Sequence, residues 1–255
     1  MLKNITYEFY ESVDSTNERI KLRAHEDEAE GLVISAGQQT AGKGRIGRKW
    51  ETPSGDSVAT SILLRPEALS PEAVATVTVV AAMAVRDSLY RLYGIDGLIK
   101  WPNDIVVDGK KICGILTEME MKEGKVWYVV VGIGVNVHNK TFPEEIAYKA
   151  TSVDLALAGS GKRGHRKEIT EAIWESFKKY YNLFLETGDM SKLKKEYESH
   201  LANIGKPVRI EAREASYEAV ALGITDRGEL IVEADGEQRI ISTGEVSVRG
   251  IYGYV

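Results

Sequence analysis

Two long apolar runs, residues 112–120 and 126–137, are joined by Lys122-Glu123-Gly124-Lys125, and this pairing constrains the fold more tightly than any other stretch of the chain. Runs rich in valine and isoleucine read as strands, and the charged, glycine-containing link between them reads as a hairpin loop. The sheet that holds them is therefore mixed or largely antiparallel. Residues 32–36, 58–64, 98–101 and 105–107 supply further short strands, residues 7–10 a first one, and Asp108-Gly109 a tight turn. Between them a helix is expected over Pro71–Tyr93, with Ser70 as N-cap, Pro71 at the first helical position and Glu72 complementing the dipole. Its body is apolar on most faces, which makes it a central, buried element. Amphipathic helices over residues 169–185 and 191–201 cover the same sheet, so the class is α+β rather than doubly wound.

Composition changes at Gly205-Lys206-Pro207. Beyond it, short strands at 208–211, 217–224, 230–234, 239–242 and 246–248 alternate with the turns Asp226-Arg227-Gly228 and Asp235-Gly236. Strands this short and this closely spaced predict a small SH3-like β-barrel. The expected division is residues 1–204 and residues 205–255.

The 255 residues, 43% of them hydrophobic, suffice for one large core and a small satellite. Residues 1–12 carry Lys3, Glu8 and Glu11 and lack an apolar signal region. Residues 73–85, the most apolar stretch, are too short to span a bilayer, so no membrane partner is expected and the compartment is the cytoplasm. The lone cysteine, Cys113, lies in an apolar run and reads as a buried structural thiol. The four histidines lack metal-ligand spacing. A net charge of −5 without a basic face argues against a nucleic-acid partner.

Against that acidic background, residues 42–50 read Gly-Lys-Gly-Arg-Ile-Gly-Arg-Lys-Trp, with three glycines, four cations and no acid. Glycines permit φ > 0 and close backbone approach, so main-chain N–H groups can face an anion while Lys43, Arg45, Arg48 and Lys49 neutralise it. A solvated surface loop would have the same composition. The spacing also spells a dinucleotide fingerprint, but Arg-Lys-Trp-Glu-Thr-Pro follows where a helix is required. Walker-A spacing fails as well, since Arg48 and Lys49 occupy the positions of Lys and Ser or Thr. Upstream, Asp14-Ser15-Thr16-Asn17-Glu18 opens a helix running to about residue 29. Ser15 with Glu18 three residues on makes a capping box, and the same hydroxyls and amide could hydrogen-bond a small polar ring.

The order G-[KR]-G-R-x-G-R-x-W resembles the biotin protein ligases. Three more segments agree in order and spacing: Ser15-Thr16-Asn17, Lys100-Trp101-Pro102-Asn103-Asp104 with Lys111 and Gly114 downstream, and Gly132-Ile133-Gly134-Val135-Asn136. Gly244-Glu245-Val246-Ser247-Val248-Arg249 matches the segment that closes such chains. The resemblance implies a catalytic domain of the class II synthetase and biotin ligase type, with a mixed sheet covered by helices, followed by the SH3-like barrel. It implies adenylation of biotin by ATP with Mg²⁺, then transfer of the biotinyl group to a lysine of a biotin carboxyl carrier protein or domain, by a homodimer. It places Ser15, Thr16, Asn17, Gln39, Gly42, Lys43, Arg45 and Gly114 at biotin and Asn136 at ATP. Trp50 packs on the bicyclic ring, closes the loop, or simply anchors it.

A carboxylate attacking a phosphate brings two anions together, so such a site needs fixed cations and a metal more than a nucleophile. Arg48 and Lys111 are the expected clamp, and Asp104, with Asn103 beside it, the expected Mg²⁺ holder. Lys100 reaches phosphate oxygens or snorkels at the sheet edge. Two departures from the family stand out: Lys43 replaces the usual arginine and loses its planar fork, and no winged helix precedes the catalytic segment, which implies the short form without a DNA-binding domain. Rival readings are a lipoate or octanoate ligase, for which this pocket is too polar, a non-catalytic biotin sensor, and a nucleic-acid module on the barrel.

Overall fold

The protein was analysed as a computed structural model that describes every residue except 53, 212–215, 244–246, 251–253 and 255. In chain order the elements are β1 (Thr6–Val13), α1 (Thr16–His25), β2 (Leu32–Gln39), β3 (Ser57–Leu64), α2 (Pro71–Tyr93), β4 (Leu98–Lys100), β5 (Asp104–Val107), β6 (Lys110–Lys122) and β7 (Lys125–Asn136). There follow α3 (Glu144–Ala147), α4 (Val153–Ala156), α5 (Arg166–Thr187), α6 (Lys194–Ser199), β8 (Pro207–Glu211), β9 (Ser216–Ile224), β10 (Leu230–Ala234), β11 (Glu237–Ile241) and β12 (Ser247–Gly250).

The hairpin forms as its sequence requires. Glu123 (φ 52) and Gly124 (φ 76) both take the left-handed region, as a two-residue primed turn demands, and β6 pairs with β7 from Cys113–Val135 to Lys122–Lys125, with a register shift after Glu120. Asp108 (φ 49) and Gly109 (φ 73) repeat the device between β5 and β6. The first sheet runs β1-β2-β3-β7-β6-β5-β4, and only the β1–β2 pair is parallel. Its central strands β3 and β7 lack a polar face because both sides are covered. Val33, Ile62, Val129 and Val131 pack towards α2 and α5, whereas Ile34, Leu63, Tyr128 and Val130 pack against Ile20 and Ala24 of α1. All eight residues of β3 are buried as a result.

Helix α2 begins as its sequence predicts, with the Ser70 hydroxyl accepting from the Ala73 amide, and ends at Gly94 in the left-handed region. One expectation about it needs correcting. At 23 residues it is long and apolar enough to cross a membrane, so length does not exclude a span. What marks it as a core helix is that most of its apolar window is buried within the protein.

The second sheet runs β11-β10-β9-β8-β12, antiparallel throughout. Its inward residues, including Val208, Ile210, Ala221, Leu230 and Val232, belong to the same apolar cluster as the first sheet. The satellite core expected from composition is thus continuous with the main one. Trp101 Nε1 donates to Gly228 O at 2.9 Å and Thr76 Oγ1 to Arg227 O at 2.6 Å, fixing one sheet against the other. Of the closing motif, residues 244–246 lie outside the described residues; the rest forms β12.

Candidate active site

On the α1 side of the first sheet, β6 and β7 present a floor that is bare backbone at Gly114, Gly132 and Gly134. Gly114 is opposite Gly134 and Leu116 opposite Gly132 in the register. Alternate residues of a strand share a face, so Gly132-x-Gly134 leaves one patch of backbone bare while Ile133 points into the core. A Cβ at Gly132 would lie 2.1 Å from Asn17 Oδ1, and one at Gly134 2.4 Å from the Trp50 ring. The glycines are spacers that let two side chains lie against the sheet. The hollow above them, roughly 470 Å³ including its mouth, is lined by Ser15, Thr16, Asn17, Gln39, Lys43, Arg45, Trp50, Asn103, Lys111 and Gly114 among the residues expected from sequence.

At the start of α1 the capping box does not form. Ser15 has the extended backbone of an N-cap, but its hydroxyl caps nothing. The Thr16 amide donates instead to Gln39 Oε1 (2.8 Å), and Glu18 is drawn away by Lys21 (2.9 Å) and Lys43 (2.7 Å). The Ser15 amide donates to Asp14 Oδ1 (2.8 Å) in place of Glu18, and the Ser15 hydroxyl, which caps no helix amide, remains at the cavity wall. Gln39 Oε1 also accepts from Thr16 Oγ1 (3.1 Å), and Gln39 Nε2 donates to Thr52 Oγ1 (3.2 Å). Asn17, which is 4% exposed, donates through Nδ2 to Glu118 Oε2 (2.7 Å) and accepts at Oδ1 from Ser61 Oγ (2.6 Å).

The basic loop is a closed hairpin. Lys43 bridges Lys49, Gly44 N donates to Arg48 O (2.7 Å), and Trp50 N donates to Gly42 O (3.0 Å). The Gly44 and Trp50 amides are thus committed to loop carbonyls, which leaves an anion to the loop's other amides and its cations. Only Gly47 (φ 70) uses the left-handed region, together with Ile46 (φ 56). Gly42 is needed for space, because a Cβ there would lie 2.2 Å from Trp50 O. The Trp50 ring lies across Gly114 and Gly134, and its Nε1–H is buried without an acceptor among the described residues.

The far end of the hollow is cationic. Lys111 Nζ lies 2.6 Å from Asp104 Oδ1, and Tyr254 donates to Asp104 Oδ2. Burial pushes the Asp104 carboxyl up, but Lys111 and Lys100 more than offset it and hold it below the usual carboxylate range. Lys100, 6% exposed, is lowered to about 8 by burial, only partly opposed by Asp104. Arg45 donates from Nη1 to Asn103 Oδ1 (3.0 Å) and from Nη2 to Thr243 O, and burial lowers its pKa. Gly42, Arg48, Lys100, Asp104 and Asn136 do not line the hollow. Arg48 is exposed on the loop, and Asn136 Nδ2 donates to Thr151 O (3.0 Å). Lys100 and Asp104 stand behind Lys111, which leaves Lys111 as the cation presented to the hollow at that point.

A polar pocket, a stripped backbone floor and a cluster of fixed cations can hold a small ring at one end and anionic groups at the other. Residues 9–136 match the model of the Biotin/lipoate A/B protein ligase family, and residues 204–249 that of the Biotin protein ligase C terminal domain. The chain belongs to the biotin protein ligase family. This ligase is 35% identical over 92% of its length to the bifunctional ligase/repressor BirA of Bacillus spizizenii, covering 71% of that protein. It is 31% identical to the biotin--[acetyl-CoA-carboxylase] ligase of Paracoccus denitrificans, covering 93% of this chain and 98% of the relative. Among solved structures, the Aquifex aeolicus biotin protein ligase in complex with biotin and ATP superposes with a TM-score of 0.82 at 28% identity, covering 96% of this chain and 98% of that one.

Four residues of the ligase's site escaped the sequence reading: Ser61, Glu118, Thr52 and Tyr254. Gly132 and Gly134 are legible there as part of a motif but without a role, although two glycines at period two on an apolar strand mark a bare face. For the other four no signal existed, because each enters the site from a distant segment.

Proposed function

We propose that this ligase joins the biotin carboxylate to the α-phosphate of ATP, releasing pyrophosphate, and passes the biotinyl group to a lysine of a biotin carboxyl carrier protein or domain. The observation that carries this reading is the hydrogen-bonding inventory of the pocket. Gln39 Oε1 is saturated by two donors from Thr16, while one Gln39 Nε2 hydrogen and the Ser15 hydroxyl remain to donate. Asn17 Oδ1 keeps one lone pair to accept. Donors beside an acceptor complement a cyclic urea, whose carbonyl accepts and whose N–H groups donate. A dithiolane or a fatty chain offers neither, and would leave these buried groups unpaired at about 1–3 kcal/mol each.

The carboxylate of a bound biotin lies towards Lys111, where that ammonium and Arg45 offset the repulsion between carboxylate and triphosphate. No protein nucleophile is required. Cys113 is buried, and burial pushes its thiol up, which suits an inert residue. Asp104 is the residue that would meet a metal at this end: Oδ2 accepts from Tyr254, and Oδ1, beside the Lys111 ammonium, is buried without a hydrogen bond among the described residues, although no group of three or more His, Cys, Asp or Glu side chains forms a metal cage among them. Magnesium is accordingly proposed to enter as the MgATP substrate.

The remaining assignments are proposals of the same kind: Arg48 and Lys100 towards the phosphates, Asn103 and Asn136 towards the nucleotide, domains of residues 1–204 and 205–255, and a cytoplasmic compartment. A homodimer is supported by the unpaired edge of β1, which exposes Phe9 (59%) and Tyr7 (49%). Single-turnover pyrophosphate release with MgATP and biotin, lipoate or octanoate offered separately tests the reaction. A burst with biotin alone is expected. A burst with either of the others would move the ligase to a different acyl substrate, and silence with all three despite biotin binding would make it a sensor.

A further inference from the structure

Glu118 faces the pocket only through another residue. Its side chain, on β6, spans two partners: Oε2 accepts from Asn17 Nδ2 at 2.7 Å and Oε1 pairs with Lys21 Nζ at 2.7 Å. Lys21 in turn pairs with Glu18 at 2.9 Å, and Glu18 with Lys43 of the basic loop at 2.7 Å. Charge alternates along this chain, so each ion pair holds the next in place.

The amide of Asn17 could present either end to the hollow, and its surroundings decide which. On one side stand two acceptors, Glu118 Oε2 at 2.7 Å and Leu116 O at 3.4 Å. Turning the amide over would set Oδ1 against a carboxylate and a carbonyl, both repulsive. On the other side Ser61 Oγ donates at 2.6 Å to Oδ1, which lies where a Cβ of Gly132 would otherwise be. Both amide hydrogens are therefore committed away from the hollow, and the free lone pair of Oδ1 is what remains. Carbonyl Leu116 O alone is a weak orienter at its longer distance; the charged acceptor is the stronger one.

We infer that Glu118 is a positioning residue for substrate specificity: by accepting from Asn17 Nδ2 it holds Asn17 Oδ1 as the acceptor for a ureido N–H. The inference rests on the function proposed above. It also gives Lys43 a use that a planar fork is not needed for, as the outermost point charge of the chain that steadies Glu118. Without the carboxylate, Asn17 can turn its donors to the hollow, and a substrate N–H then meets an N–H.

The test is calorimetric binding, without turnover, of biotin and of the two cyclic carbamate analogues in which one or the other ureido N–H is replaced by a ring oxygen. Wild type, Glu118→Ala and Glu118→Gln are compared, each first shown to unfold cooperatively. Wild type should prefer biotin to at least one carbamate by about 10- to 100-fold, the worth of one hydrogen bond in a buried site. In Glu118→Ala that preference should fall about 10-fold or more, because biotin loses affinity and the carbamate does not. Glu118→Gln, which keeps an acceptor for Asn17, should retain part of it, and it carries the test should the alanine variant not fold. Equal losses for biotin and both carbamates would reduce Glu118 to a structural residue and overturn the inference, as would an unchanged preference in both variants. Wild-type protein that binds no biotin at all would overturn the proposed function itself, and this inference with it.

Discussion

Tyr254 donates its hydroxyl to Asp104 Oδ2, joining the end of the chain to the cationic end of the site. The Lys100 ammonium lies 4.0 Å from the centroid of the same ring. Asp104 is thereby held from two sides, by Lys111 within the first sheet and by a tyrosine that follows the second. Burial and the neighbouring Asp104 charge both raise the Tyr254 pKa, so the phenol stays a donor. Tyr254→Phe leaves a buried carboxylate oxygen without that donor, at a cost of about 1–3 kcal/mol. The urea midpoint should fall with the slope unchanged; a wild-type midpoint would show that the contact contributes nothing in solution.

Lys111→Ala removes the one cation that both lines the hollow and pairs with Asp104. Pyrophosphate release should slow roughly 10²–10³-fold. Stability should fall too, but by less than the about 3–5 kcal/mol of an uncompensated buried charge, since Tyr254 and Lys100 still face Asp104. Adding Asp104→Asn separates the two effects: it should recover part of the stability and none of the rate. A near-normal rate in the single variant would remove Lys111 from the chemistry.

Much of this architecture was legible because it is local. The hairpin turn at Glu123-Gly124, the N-cap at Ser70 and the left-handed stop at Gly94 are each written within a few residues. Helices α3 and α4, of four residues apiece, carry too little periodicity to be read. The site was legible as motifs but not as a geometry. The Ser15 and Glu18 pattern promised a capping box, yet lysines at 21 and 43 took the glutamate. Arg48 matched a motif and is exposed on the loop, within reach of the Lys100 charge, while Glu118 and Ser61, in strands read only as apolar runs, hold Asn17 in place.

Lys100 makes the site sensitive to pH. Its folded value of about 8 lies below that of an exposed lysine because burial disfavours the ammonium; Lys111, Arg249 and Arg48 add to this and Asp104 opposes it. Between that value and the ordinary range the unfolded chain binds the extra proton, so this group's contribution to stability rises as pH rises above about 8. Phosphates reverse the preference and favour the charged form. ATP binding at pH 8.5 should therefore take up close to one proton (~1), seen as a dependence of binding heat on the ionisation enthalpy of the buffer. Lys100→Met should abolish the uptake, and proton uptake that persists in this variant would assign it elsewhere.

Trp50 lies on the glycine floor, and this contact connects the basic loop to the sheet. A Cβ at Gly134 would come within 2.4 Å of the ring, whereas one at Gly44 meets nothing nearer than 3.4 Å. Gly134→Ala should lift the indole and, with it, the hairpin closed by Gly42 and Trp50. The loop carries Lys43, Arg45, Arg48 and Lys49, so trypsin reads its opening directly. Cleavage there should be faster in Gly134→Ala than in wild type. Biotin with ATP should protect the wild-type loop, because the ligands supply countercharge to four clustered cations and a surface for the indole. Gly44→Ala serves as the control, as it adds a methyl to the loop without touching the ring. Equal cleavage of both variants would trace the effect to the loop's own backbone, and cleavage of wild type undiminished by the ligands would mean that they add nothing to the hairpin's own closure.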